Sequence, residues 1–269
     1  MDATIYIEIV IGFILIIATL LQPYLGLVYI LASQPITEIL PSIPLISSVV
    51  PIIGAVTLVG FLVKAKNQAI RFAFRFSAVH IISLLLIGWM LLSNPSAALT
   101  GSDRYWLLTY VQLWVLMWLA GFLLNTPRKH ITLMWIFSLT TLVSAFYASI
   151  QGGGLTELDP VVRASGLAQG ANTAARYFVV AFVFFNYLNT ITKNRLLRIF
   201  LIIGIAGTFL GVFYTVSRTG MLLLAVAVIL MLLLQSKFKY RAGIIAIVAI
   251  GLVIVLSNSS GILTLIQSI

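Results

Sequence analysis

The chain has 269 residues, 61% of them hydrophobic and 8% charged, with a formal net charge of +10 and a mean hydropathy of +1.15. Soluble domains carry about 25% charged residues, so composition excludes a soluble globular domain, a nucleic-acid-binding module and a disordered chain. Cysteine is absent and only His80 and His130 are present, so disulfides, thiolate nucleophiles and His-rich metal sites lack residues to build them, and no metal or cofactor is expected.

A helix needs roughly 20 apolar residues to cross about 30 Å of hydrocarbon. Nine such runs follow one another, at roughly 5–31, 43–63, 76–92, 105–124, 131–150, 173–190, 197–215, 219–235 and 242–257. The first is too long for one straight crossing and contains Pro23. It reads either as one tilted, kinked helix or as a span followed by a short re-entrant piece. Met1-Asp2-Ala3-Thr4 ahead of it lacks the basic stretch of a cleavable signal. Asp103-Arg104 opens the fourth run and reads as a local ion pair. Gly207 and Gly211 in the seventh form a GxxxG pattern suited to helix packing. The junction between the seventh and eighth runs is tight, which predicts a helical hairpin there. The continuous Leu/Ile/Val runs lack the alternation of barrel strands. The expected fold is therefore all-α, a polytopic helical membrane protein of about nine spans forming a single integral membrane domain over 1–269.

Basic residues in short loops stay in the cytoplasm. Lys64/Lys66/Arg71/Arg75, Arg128/Lys129, Lys193/Arg195/Arg198 and Lys237/Lys239/Arg241 all fall on one side of a nine-span arrangement, giving an inner N-terminus and an outer C-terminus. The excess positive charge then lies at the cytoplasmic face, where orientation and anionic lipid headgroups account for it without a nucleic-acid partner. The outer face holds Arg104, Arg163, Arg176 and Arg218 against Glu38, Asp103, Glu157 and Asp159, and no lysine. Arginine binds phosphate oxygens bidentately and keeps its charge in a dry site.

Three outer arginines sit in patterns suited to chemistry. Arg218 lies in Thr215-Val216-Ser217-Arg218-Thr219-Gly220 between two apolar runs, with Ser217 and Thr219 as neighbouring hydrogen-bonding groups. It reads either as a snorkelling interfacial side chain or as an anion-binding one. Arg163 lies in a Gly/Ser/Asn-rich loop, the longest hydrophilic stretch of the chain at 151–172. Arg176 falls one turn into the sixth run, on the same face as Asn172, which could cap that helix. Asp159 or Glu157 could pair with Arg176. Glu38, among Pro35, Pro41 and Pro44, reads as a solvated loop residue. His80 and His130 fall on the cytoplasmic side and are unsuited to chemistry at the outer face.

Three stretches together resemble the O-antigen ligase and polymerase family of bacterial membrane glycosyltransferases. They are Tyr29-Ile30-Leu31-Ala32-Ser33-Gln34-Pro35; Arg163-Ala164-Ser165-Gly166 followed by Gly170 and Asn172; and Thr215-Val216-Ser217-Arg218-Thr219-Gly220. The resemblance covers most of the chain. It implies a multi-pass protein of the bacterial cytoplasmic (inner) membrane, embedded among membrane lipids. The implied activity transfers a glycan from an undecaprenyl-diphosphate-linked donor to a hydroxyl of lipid A–core or of a growing polysaccharide, at the extracytoplasmic face.

In that reading Arg163 and Arg218 are catalytic, stabilising the charge of the lipid diphosphate leaving group without a metal. Arg176, Asn172, Ser217 and Thr219 bind the diphosphate or glycan. The family carries a large outer loop after the ninth span, with a histidine held to be catalytic. No matching position occurs here, so the chain is expected to be a fragment whose general base lies beyond it, with a complete but divergent chain as the alternative; within it only Glu157 or Asp159 could stand in. A transporter or flippase for lipid-linked or small anionic substrates is the alternative reading. An assembly subunit without a site of its own is the third.

Overall fold

The structure is a computed structural model and describes residues 3–38, 44–67, 77–93, 101–151 and 164–235. All regular structure among these residues is helical. The helices are α1 (Ala3–Leu21), α2 (Pro23–Ser33), α3 (Pro44–Asn67), α4 (Ala78–Ser93), α5 (Gly101–Leu123), α6 (Pro127–Ile150), α7 (Ala171–Ile191), α8 (Arg195–Tyr214) and α9 (Arg218–Gln235), with one 3-10 turn at Gln34–Ile36. The expected run at 242–257 lies outside the described residues. The α6, α7 and α8 helices are each long and apolar enough to cross a membrane, and shorter apolar helices lie at Val10–Leu21, Val50–Ala65, Ala78–Ser93, Leu107–Leu123 and Arg218–Leu233. Apolar side chains face outward along much of this surface, as at Trp89, Leu92 and Ile203, and no residue of α4 is buried. An apolar exterior of this extent matches lipid as the surrounding medium.

The chain divides into two compact units, Met1–Thr140 and Thr141–Ile269, the division falling within α6.

In the first unit the long initial run resolves into two helices. Proline at the first position of α2 supplies no N–H to α1, and Gln22 takes φ −137°, ψ 87°, which ends one helix and starts the next. The chain then doubles back. Gly26 sits against Thr19 and Thr57, and Ile30 approaches Gly54. Gly60 meets the carbonyls of Thr19 and Leu20 and the ring of Pro23, while Leu15 packs with Ile30 and Ile53. Residue pairs 15/53 and 19/60 make α1 parallel to α3; pairs 23/60 and 30/54 make α2 antiparallel to both. Of the two readings of the first run, the span with a folded-back piece is the one found. The kinked single helix is excluded, because residues 15 and 30 would then stand about 22 Å apart. As a result the start of α1 and the Lys64 end of α3 lie at opposite ends of this unit, whereas the nine-span arrangement set them at the same end.

The α5 helix completes the unit. Leu119 and Leu123 pack with Leu27 and Phe61, and Phe61, Trp118 and Phe122 form an aromatic cluster with ring centroids 4.9–5.7 Å apart.

In the second unit α7 and α8 form the principal pair. Gly204 lies flat against the ring of Phe185 and Gly211 against that of Phe178, so the two helices approach closely. Gly211 also meets Ala145 of α6, while Gly207 faces Leu142 of the same helix. The GxxxG pair thus has the packing role expected of it. Ala145, Ala148, Ala174, Phe178, Val212 and Leu224 make the buried centre.

Candidate functional site

At one end of the second unit, four segments converge: the C-terminal part of α6, the loop 164–170, the start of α7 and the α8–α9 turn. The turn follows from its sequence. Thr215 ends α8, with its hydroxyl donating to the Val212 carbonyl at 2.7 Å and accepting from the Ser217 N–H at 3.3 Å. Val216 then adopts φ 48°, a left-handed conformation strained for a β-branched residue. Ser217 caps α9, its Oγ accepting from the Gly220 N–H at 3.1 Å. The same hydroxyl donates to Asn172 Oδ1 at 2.9 Å, tying the start of α9 to the start of α7. Gly220 packs directly on Ala175, leaving no room for a Cβ. The amino ends of two helices are thereby bonded together, and each carries the positive end of a helix dipole, which favours an anion nearby.

The loop before α7 is anchored from beneath. Ser144 Oγ accepts from the Leu167 N–H at 2.9 Å, and Gln151 Oε1 accepts from the Gly166 N–H at 3.1 Å. Gly166 has φ 62°, and a Cβ there would lie 2.7 Å from both the carbonyl oxygen and the Oγ of Ser144. The Ala164 N–H donates to the Tyr214 carbonyl at 3.4 Å, which fastens this loop to the end of α8. Beside Thr215 of the quoted stretch, Ser144, Gln151 and Ala175 support the site, and these three were not legible as such in the sequence. They are ordinary small or amide residues whose roles depend on tertiary approach.

The expected site residues divide clearly. Ser217 is fully buried and Asn172 is bonded to it. Asn172 does not cap α7: Gly170 is the residue before the helix, with no side-chain cap, and Asn172 is the second helical residue. Its amide is turned instead to Ser217. Arg218 and Thr219 are exposed at the first two positions of α9, and Arg176 is exposed one turn beyond Asn172. Neither Arg176 nor Arg218 makes an ion pair or a side-chain hydrogen bond among the described residues. Arg163, Glu157 and Asp159 lie outside the described residues. Asp103 and Arg104 fall in the first turn of α5, in the other unit.

Ser217→Ala should destabilise the protein by about 2 kcal/mol, combining a lost cap with a lost interhelical bond. Asn172→Ala should cost about half that. Unfolding of both single variants and the double variant in detergent should give a coupling energy of about 1 kcal/mol between the two positions; strict additivity would mean the bond contributes nothing.

Comparison of the chain with family models, with curated proteins and with solved structures gives no match.

Proposed function

We propose that this chain is a membrane glycosyltransferase of the O-antigen ligase/polymerase type. It moves a glycan from undecaprenyl diphosphate to an acceptor hydroxyl of lipid A–core or a growing polysaccharide, at the outer face of the bacterial inner membrane. The acceptor oxygen bonds to the anomeric carbon, the bond from that carbon to the diphosphate breaks, and the acceptor proton passes to a base outside the described residues. The observation that carries this reading is the joined pair of helix amino ends. Within one turn of the Ser217–Asn172 bond stand two exposed guanidinium groups, Arg218 and Arg176, that the scaffold does not use. Two positive helix ends and two arginines form a field matched to the charge developing on a diphosphate leaving group.

The distribution of basic residues supports an outward orientation for this end. Lys193, Arg195 and Arg198 lie at the far end of α7 and α8, about 30 Å away along a 20-residue helix. In the first unit Lys64 and Lys129 flank the Gln22 turn, so the start of α1 is outward. The absence of native cysteine allows single-site labelling. A membrane-impermeant maleimide should label Ala3→Cys in intact spheroplasts and Lys64→Cys only after permeabilisation. Labelling of both from one side would contradict the helical hairpin at Gln22.

Transfer is tested with proteoliposomes holding the full-length protein, an undecaprenyl-diphosphate-linked glycan and an acceptor. Wild-type protein should form the glycosidic product and Arg218→Ala should not. Movement of the donor lipid between leaflets with no product formed would support the transporter reading instead.

A further inference from the structure

At the basic end of the first unit, Gln22, Pro23, Tyr24, Phe61, Lys64, Phe122, Leu123, Asn125 and Lys129 enclose a cleft of about 280 Å³. We propose that this cleft binds the phosphate group of an anionic phospholipid, an interaction independent of the glycan-transfer reading.

Three features converge on that ligand. The first is uncompensated charge. No carboxylate lines the cleft among the described residues. Among the described residues, Lys129 Nζ reaches only neutral acceptors, the Leu123 carbonyl at 3.1 Å and Asn125 Oδ1 at 2.9 Å, and lies 5.4 Å from the centre of the Tyr24 ring. Lys64 makes no hydrogen bond or ion pair among the described residues.

The second is the amino end of α2. Gln22 precedes this 11-residue helix without a side-chain cap; Pro23 has no N–H and the Leu25 N–H donates to the Gln22 carbonyl at 2.8 Å, so the end offers the cleft its helix dipole and the Tyr24 N–H. The Tyr24 hydroxyl donates to the Lys129 carbonyl at 2.9 Å and holds the α2 and α6 walls together.

The third feature distinguishes a lipid from a free ion. Phe61 and Leu123 are buried within the cleft wall, while Leu21, Leu25 and Leu62, each next in sequence to a lining residue, are exposed and apolar. A ligand with its phosphate between the lysines would lay acyl chains along these side chains. Basic clefts between helices at the cytoplasmic boundary take anionic headgroups in this manner.

The test uses purified protein in neutral detergent, following thermal unfolding during titration with dioleoyl phosphatidylglycerol, with dioleoyl phosphatidylcholine and with inorganic phosphate. Phosphatidylglycerol should raise the midpoint saturably and the other two should not. Lys64→Gln should shift half-saturation about fivefold, and Lys64→Gln/Lys129→Gln more than tenfold. Lys193→Gln/Arg195→Gln, at the basic end of the other unit, should leave it unchanged. Because Lys129 also holds the end of α5, Lys64→Gln alone carries the decision if the double variant fails to fold, with retained lipid read by native mass spectrometry. An equal response to the two phospholipids, or an unchanged half-saturation in Lys64→Gln, overturns the proposal. Saturation by inorganic phosphate alone overturns the lipid assignment.

Discussion

Arg218→Ala should lower glycan transfer about 10²–10³-fold, the loss typical of removing one fixed donor from a developing oxyanion. The protein should remain folded. Arg218 is exposed and makes no side-chain bond among the described residues, so its truncation should change stability by less than about 0.5 kcal/mol. That separation between activity and stability is what distinguishes a functional arginine from a structural one. Thr215, Ser217 and Gly220 are each used by the turn itself, respectively to end α8, cap α9 and admit Ala175. Arg218, like the exposed Thr219, makes no bond that the turn uses among the described residues.

Lysine should restore little. A single ammonium cannot present the paired N–H groups that match two phosphate oxygens. Arg163→Ala is expected to act likewise and Arg176→Ala less strongly. Turnover in the reconstituted system, read beside the unfolding midpoint of each variant, checks all three. Retained transfer in Arg218→Ala would remove it from the site.

Gly166→Ala should be strongly destabilising, at about 3 kcal/mol. Two terms add. A left-handed φ of 62° costs a non-glycine residue about 1–2 kcal/mol. A Cβ placed 2.7 Å from the Ser144 carbonyl oxygen and Oγ adds an overpacking cost of about 1–3 kcal/mol. The displaced partner is the same hydroxyl that accepts from Leu167, so relief by moving Ser144 breaks the bond that anchors the loop. Gly121→Ala serves as the comparison. Nothing lies within 4 Å of its would-be Cβ, and alanine there should be neutral or stabilising by up to about 1 kcal/mol. Unfolding in detergent measures both, and an equal response at the two positions would refute the packing argument. Because Gly166 lies three residues after Arg163, the variant should also lower transfer.

The helices were legible because their apolar runs are long, whereas the residues that begin α6 and α8 lie ahead of the apolar runs at 131 and 197. Pro127 starts α6, Asn194 caps α8 through hydrogen bonds from the Leu196 and Leu197 N–H groups, and Ser217 caps α9. The seventh and eighth runs fold as the expected tight hairpin, α8 and α9. The direction of the first run was not legible. Proline is compatible with both a kink and a reversal, and the choice rests on Gly26 and Gly60 meeting Thr19 and Thr57, approaches that no local pattern encodes.

The candidate site was legible as a set of residues and not as an arrangement. Ser217 and Asn172 were both singled out, but their hydrogen bond spans 45 positions, and Asn172 bonds across to α9 instead of capping its own helix. Gln151 and Ser144 carry no motif at all, and only the fold reveals that they hold the loop.

The reversal at Gln22 bears on how the protein enters the membrane. In the orientation proposed above, with Lys64 and Lys129 inward, the start of α1 faces outward. Residues 1–63 contain no lysine or arginine, so no basic side chain in that stretch opposes such a placement. Two oppositely directed segments of 19 and 11 residues can then insert together as one wedge. In that orientation the basic cluster that begins at Lys64 marks the inward end of the third segment.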